Sequence, residues 1–159
     1  MRNRVMLFVR TLLSWATLLS LSACGPNYVK PQTGESVAYV SFATEGNPAL
    51  GFAARLWLPK TGGNGEDDLQ AAAQIAEGNP LLHTENPENI PVAAGRELKV
   101  KASFTPANVL GQYGCSNELR VKLLENEHYR FVIRWQKQMT CTTSVFRNVD
   151  GTWVGETFP

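Results

Sequence analysis

Several stretches of the chain alternate apolar and polar residues with a period of two, and that period most restricts the fold. In residues 97–104, Leu98, Val100, Ala102 and Phe104 face one way; Glu97, Lys99, Lys101 and Ser103 face the other. Residues 118–123 set Leu119, Val121 and Leu123 against Glu118, Arg120 and Lys122. Residues 128–135 set Tyr129, Phe131, Ile133 and Trp135 against His128, Arg130, Val132 and Arg134. Successive side chains of a strand point to opposite faces, so each stretch predicts a strand with one face buried and one solvated. Residues 141–146 put Cys141, Thr143 and Val145 on one side, and Val37–Ala43 and Phe52–Leu58 are strand-like with looser alternation. Asp150-Gly151 is a strong two-residue hairpin signal between Val145–Val149 and Thr152–Glu156.

The odd positions are apolar before and after Glu125-Asn126-Glu127, which predicts a turn of about three residues joining two paired strands. The segment Thr61–Gly95 differs, with Glu66, Asp67, Asp68, Glu77, Glu85 and Glu88 and no Lys or Arg. Glu66–Glu77 is expected to be a short helix or an acidic loop: acids suit a helix start, and Gly78 with Pro80 suits its end. Ile90-Pro91-Val92 and an Ala94-Gly95 turn lead into the strand at 97. The expected fold is mainly β: an antiparallel sandwich of about seven strands, immunoglobulin-like or transthyretin-like, or a closely related small barrel.

The first 23 residues do not belong to that domain. Arg2, Arg4 and Arg10 lead an apolar run from Leu12 to Leu21, and no acid precedes Glu35. A basic start, an apolar core and small residues before a cleavage point mark a secretory signal. Arg10 interrupts the run, which argues against an uncleaved anchor helix. Leu21-Ser22-Ala23-Cys24 resembles the bacterial lipobox. The resemblance implies that the Cys24 thiol receives a diacylglycerol, that residues 1–23 are removed, and that the new amine is acylated, often with palmitate. Several acyl chains give stable anchoring where one is marginal. Gly25, where an Asp commonly signals inner-membrane retention in such proteins, implies sorting to the outer membrane. Residues 24–35, with Pro26, Pro31 and Gly34, read as a lipidated tether, and 36–159 as the β-domain.

With Cys24 committed to lipid, Cys115 and Cys141 remain as an even pair in an oxidising compartment, which predicts a disulfide worth roughly 3.5 kcal/mol in chain entropy. Their odd positions put both thiols on the apolar side of their strands. No C-x-x-C is present, and His83 and His128 sit in no ligand-like spacing, so no metal or other cofactor is expected.

Removing the three leading arginines from fifteen basic residues leaves twelve against fourteen acids, which gives no general pull toward nucleic acid. The chain has no G-x-S-x-G, H-E-x-x-H, phosphate loop or EF-hand, and neither His has an evident catalytic partner. Gly62-Gly63-Asn64-Gly65 lacks the Lys of a P-loop, and Glu66-Asp67-Asp68 lacks calcium-loop spacing. Enzymatic activity is therefore not expected. Across residues 96–147, nine basic residues face four acids. If the strands at 97–104, 118–123 and 128–135 share a sheet, Lys99, Lys101, Arg120, Lys122, Arg130 and Arg134 make one outer face basic, either for a partner or as a solvated face that discourages edge aggregation.

The lipobox together with Cys115, Leu119–Leu123, Tyr129–Trp135 and Cys141 resembles the small lipoproteins of Gram-negative bacteria with a disulfide-linked β-sandwich. Gly46-Asn47-Pro48 through Leu56-Trp57-Leu58 is also similar to the lipoprotein of the type VI secretion membrane complex, a transthyretin-like sandwich that is not marked by a late Cys pair. The first resemblance implies a non-enzymatic binding or accessory module, anchored in the outer membrane through Cys24, facing the periplasm and meeting an envelope protein. A periplasmic inhibitor of lysozyme or another wall-degrading enzyme is the alternative, and a secretion-system lipoprotein another. Candidate contact regions are the acidic 61–95 excursion, the Tyr113 turn, and the aromatic residues Trp57, Trp153 and Phe158.

Overall fold

The computed structural model describes residues 28–46, 51–59, 69–78, 83–106, 114–136 and 140–158. Cys24, the segment before it, residues 61–68 and Tyr113 lie outside the described residues. Among the described residues there are nine strands and no helix: β1 (Val37–Glu45), β2 (Phe52–Pro59), β3 (Leu69–Glu77), β4 (Ile90–Ala93), β5 (Glu97–Pro106), β6 (Cys115–Lys122), β7 (His128–Gln136), β8 (Thr140–Val149) and β9 (Thr152–Glu156). They form a five-stranded sheet, β4-β1-β7-β8-β9, and a four-stranded sheet, β3-β2-β5-β6. The two sheets pack face to face as a sandwich around one core.

The period-two stretches became strands for the expected reason. Leu98, Val100, Ala102 and Phe104 of β5 are buried, as are Tyr129, Phe131 and Ile133 of β7. Phe52 stacks on Phe104 at 4.9 Å between ring centroids, and Phe104 stacks on Trp135 at 5.2 Å. Asp150-Gly151 closes the β8–β9 hairpin with both residues at positive φ, 51° and 84°, the backbone that a two-residue turn demands. Gly151 N donates to Asn148 Oδ1 at 2.9 Å.

Four expectations need correction. Residues 69–77 form a strand rather than part of a helix: β3 pairs with β2 along its whole length. Its register shifts opposite Leu56 and Trp57, with Ala72 the unpaired residue of a bulge. The bulge moves the inward positions from Gln70 to Ala73, so the segment never shows clean alternation. Second, there are nine strands among the described residues, not about seven, because β3 and the short β4 add to the count. Third, the sandwich is not wholly antiparallel. β1 and β7 pair in parallel from Tyr39↔His128 to Glu45↔Arg134, which the long excursion through β2–β6 makes possible. Fourth, β6 and β7 are not a hairpin; they lie in different sheets. The link between them crosses the end of the sandwich, held by Gly95 N→Leu123 O (2.9 Å), Asn126 N→Val37 O (2.7 Å) and Tyr39 N→Glu127 O (2.9 Å). Each strand keeps its odd residues inward because each faces the same core, not because they are neighbours.

Candidate binding cleft

The two lateral sides of the sandwich are closed differently. On the β3/β4 side the chain itself bridges the sheets. Gln74 of β3 exchanges two backbone hydrogen bonds with Glu85, and Phe42 N of β1 donates to Pro87 O at 2.7 Å. Tyr28 packs against the core there, beside Ala72, Ile90 and Pro91 around a void of about 170 Å³. Ordered packing therefore reaches back to Tyr28, ahead of Ser36.

On the β6/β9 side the sheets end unequally, and the smaller sheet stops at β6. Cys115 at the start of β6 is bonded to Cys141 at the start of β8, with 5.9 Å between their Cα atoms. The expected disulfide is thus an inter-sheet link, and both half-cystines lie on the core side. Beyond it, a cleft of about 840 Å³ opens between β6 and the β8–β9 hairpin with its following tail. That volume falls in the range of small-ligand sites, roughly 300–1,000 Å³.

The apolar lining of the cleft comes from Leu119, Val145, Phe146 and Phe158. Thr143 Oγ1 is buried in its wall and makes no hydrogen bond. Lys99, Glu118 and Arg120 reach the rim from β5 and β6, and Glu156 reaches it from β9. These charges are matched within the protein: Lys99 Nζ to Glu118 at 3.4 Å, Arg120 to Glu97 at 2.9 Å, and Arg147 to Glu156 at 2.7 Å. Such pairs hold rim geometry more than they stabilise the fold. Two exposed apolar residues lie on the β8–β9 hairpin: Val149 (39% exposed) and Val154 (47%). Val154 faces the same way as Val145, its register following from Val145↔Glu156 and Arg147↔Val154.

The single basic face does not exist as expected. Lys99, Lys101, Arg120 and Lys122 lie on the four-stranded sheet, whereas Arg130 and Arg134 lie on the other. Arg134 binds Glu45 through both Nε and Nη2. Arg130 lies over the Trp153 ring, 4.2 Å from its centroid, so Trp153 is engaged within the domain. Trp57 Nε1 donates to Ser103 Oγ at 3.1 Å, also an internal contact. Of the three aromatic candidates, only Phe158 lines the cleft. His128 stacks on Tyr39 at 4.9 Å, and the His83 carbonyl accepts from Gln74 Nε2 at 3.0 Å. Neither His is among the residues lining the cleft. Among the described residues, no group of three or more His, Cys, Asp and Glu side chains is placed to hold a metal. The cleft therefore offers shape, apolar surface and matched charge. Its signal in the sequence is faint: a short last strand after Asp150-Gly151 carrying apolar residues that remain exposed.

No protein-family model, no curated protein and no solved structure matches the chain.

Proposed function

We propose that the chain is the precursor of a lipoprotein anchored through acylated Cys24, with a non-enzymatic binding module carried on the membrane surface, in the outer membrane and facing the periplasm. The lipobox Leu21-Ser22-Ala23-Cys24 supports the anchor, and the Cys115–Cys141 bridge suits an oxidising compartment. The observation that carries the binding role is the cleft on the β6/β9 side, opposite Tyr28. Cys24 precedes Tyr28 by four residues, which span at most about 14 Å when extended. Acylation would thus hold the β3/β4 side near the bilayer and turn the cleft away from it, toward an envelope protein.

Two measurements on cells making the full chain test this. The intact mass of the purified protein should lack residues 1–23 and carry acyl mass, and Cys24→Ala should lose the acyl mass and keep residues 1–23. A photo-crosslinker at Leu119, in the cleft, should capture an envelope protein that the same crosslinker at Ala53, on the outward face of β2, does not. Equal capture at both positions would remove the cleft from the proposal, and an unacylated chain beginning at Met1 would remove the anchor.

A further inference from the structure

We infer that the void on the β3/β4 side binds a small zwitterion, an ammonium joined through a short linker to an anionic group, either free or as the head group of a lipid such as phosphatidylethanolamine. The site is separate from the cleft, and only its lipid source rests on acylation at Cys24. The first ground is charge. Lys30 and Glu88 both line the void, and both are exposed. Among the described residues, no ion pair or hydrogen bond joins one to the other. A cation and an anion that share a void without neutralising each other suit a ligand bearing both charges, its anion at Lys30 and its ammonium at Glu88. A ligand with a single charge would meet one attractive group and one repulsive one.

The second ground is how the chain holds these groups. Glu88 lies on a loop pinned on both sheets: Glu85 exchanges two backbone hydrogen bonds with Gln74 of β3, and Pro87 O accepts one from Phe42 N of β1. Just past Glu88, Ile90 pairs with Val40 of β1. Asn86 and Asn89 flank Glu88 with left-handed backbone, φ 47° and 54°, and both line the same void. Their amides can donate to an anion and accept from an ammonium. The floor is apolar: Ala72, the bulge residue of β3, is fully buried, and Ile90 is nearly so. A void of about 170 Å³ lies below the range of drug-sized sites, which limits the ligand to a few non-hydrogen atoms. Lys30 follows Cys24 by six residues, about 21 Å when fully extended, so acylation of Cys24 would hold this side of the domain beside lipid head groups.

The probe is free phosphoethanolamine, titrated into isotope-labelled protein purified in a non-ionic detergent from cells making the full chain. Binding should shift the backbone amide resonances of Ala72, Glu88 and Asn89. It should be about tenfold tighter than binding of ethanolamine or inorganic phosphate alone. Lys30→Gln and Glu88→Gln, both at exposed positions, should each weaken it about fivefold. Glu88→Gln should leave inorganic phosphate binding no weaker, because only the ammonium loses a partner. Equal affinities for the three probes, shifts confined to other residues, or unchanged binding in both variants would overturn the site. Vesicles separate the two sources. Slower amide exchange at Glu88 and Asn89 in phosphatidylethanolamine with phosphatidylglycerol than in phosphatidylglycerol alone assigns the head group. Equal exchange in the two, with the free probe binding, assigns a free zwitterion. An unacylated chain that binds the free probe removes the anchor and the lipid source while the site stands, whereas an acylated chain that binds neither form overturns the site and leaves the anchor.

Discussion

Phe104 and Trp135 stack across the core from opposite sheets, and each is the register partner of one half of the disulfide: Phe104 opposite Cys115, Trp135 opposite Cys141. The bridge and the aromatic stack are therefore adjacent links across the same end of the sandwich. Closing a loop of 26 positions restricts the unfolded chain, so replacing both cysteines by Ala should cost about 3.5 kcal/mol. Because the stack with Phe52 remains, the double variant should keep its near-ultraviolet tryptophan signal at low urea while its unfolding midpoint falls. A loss below about 1 kcal/mol would mean that other contacts hold β6 over β8.

Two buried phenols predict opposite responses to the same substitution. Tyr129 accepts a hydrogen bond from Leu124 N at 3.1 Å, so Tyr129→Phe should cost about 1 kcal/mol. The Tyr28 hydroxyl is buried without a partner, and its desolvation is uncompensated. Tyr28→Phe should therefore be neutral or stabilising by up to about 1 kcal/mol. Urea unfolding of both variants, each made from residue 25 onward, checks the pair. A clear loss in Tyr28→Phe would show that the hydroxyl has a partner in the folded protein.

The strands at 97–104, 118–123 and 128–135 were legible because each has one face on the core and one in water. The cysteine pair was legible because Cys115 and Cys141 fall on the inward positions of their strands. β3 was hidden by its bulge at Ala72 and by alanines whose helix propensity is overridden when β2 supplies a strand partner. The partition of strands between sheets left no trace, since every strand around one core shows the same parity whichever sheet it joins. The cleft follows from that partition, so it too was unreadable: it exists because β6 ends one sheet while β9 extends the other.

Gly46 is needed twice over. Its φ is +73°, and a Cβ there would lie 2.6 Å from the Trp135 carbonyl oxygen, a backbone atom that cannot turn aside. Gly95 has a similar φ of +77° with open space around it. Gly95→Ala should cost only the conformational strain, about 1–2 kcal/mol. Gly46→Ala should cost clearly more, and it should disturb the parallel β1–β7 pair that ends at Glu45↔Arg134. Denaturation midpoints of the two variants, with exchange rates along β7, test the contrast. Equal losses would mean that β1 and β7 separate there at little cost.

Alkaline pH should unfold the domain through the same two tyrosines. Burial raises the pKa of both Tyr28 and Tyr129 above the ordinary value of 10.0, Tyr28 by more; Arg96 partly offsets the shift at Tyr28, and the Leu124 hydrogen bond partly offsets it at Tyr129. In the unfolded chain both phenols lose their protons near pH 10, while in the folded chain they retain them to higher pH. The unfolded state then binds fewer protons than the folded state, so stability is intact below about pH 10 and declines as pH rises beyond it. Urea midpoints measured from pH 8 to 11.5 should be flat at first and then fall. Tyr28→Phe should flatten the fall more than Tyr129→Phe, because the larger shift belongs to Tyr28. An unchanged slope in Tyr28→Phe would mean that its hydroxyl reaches water in the folded protein and that the N-terminal strap at Tyr28 does not seal the β3/β4 side.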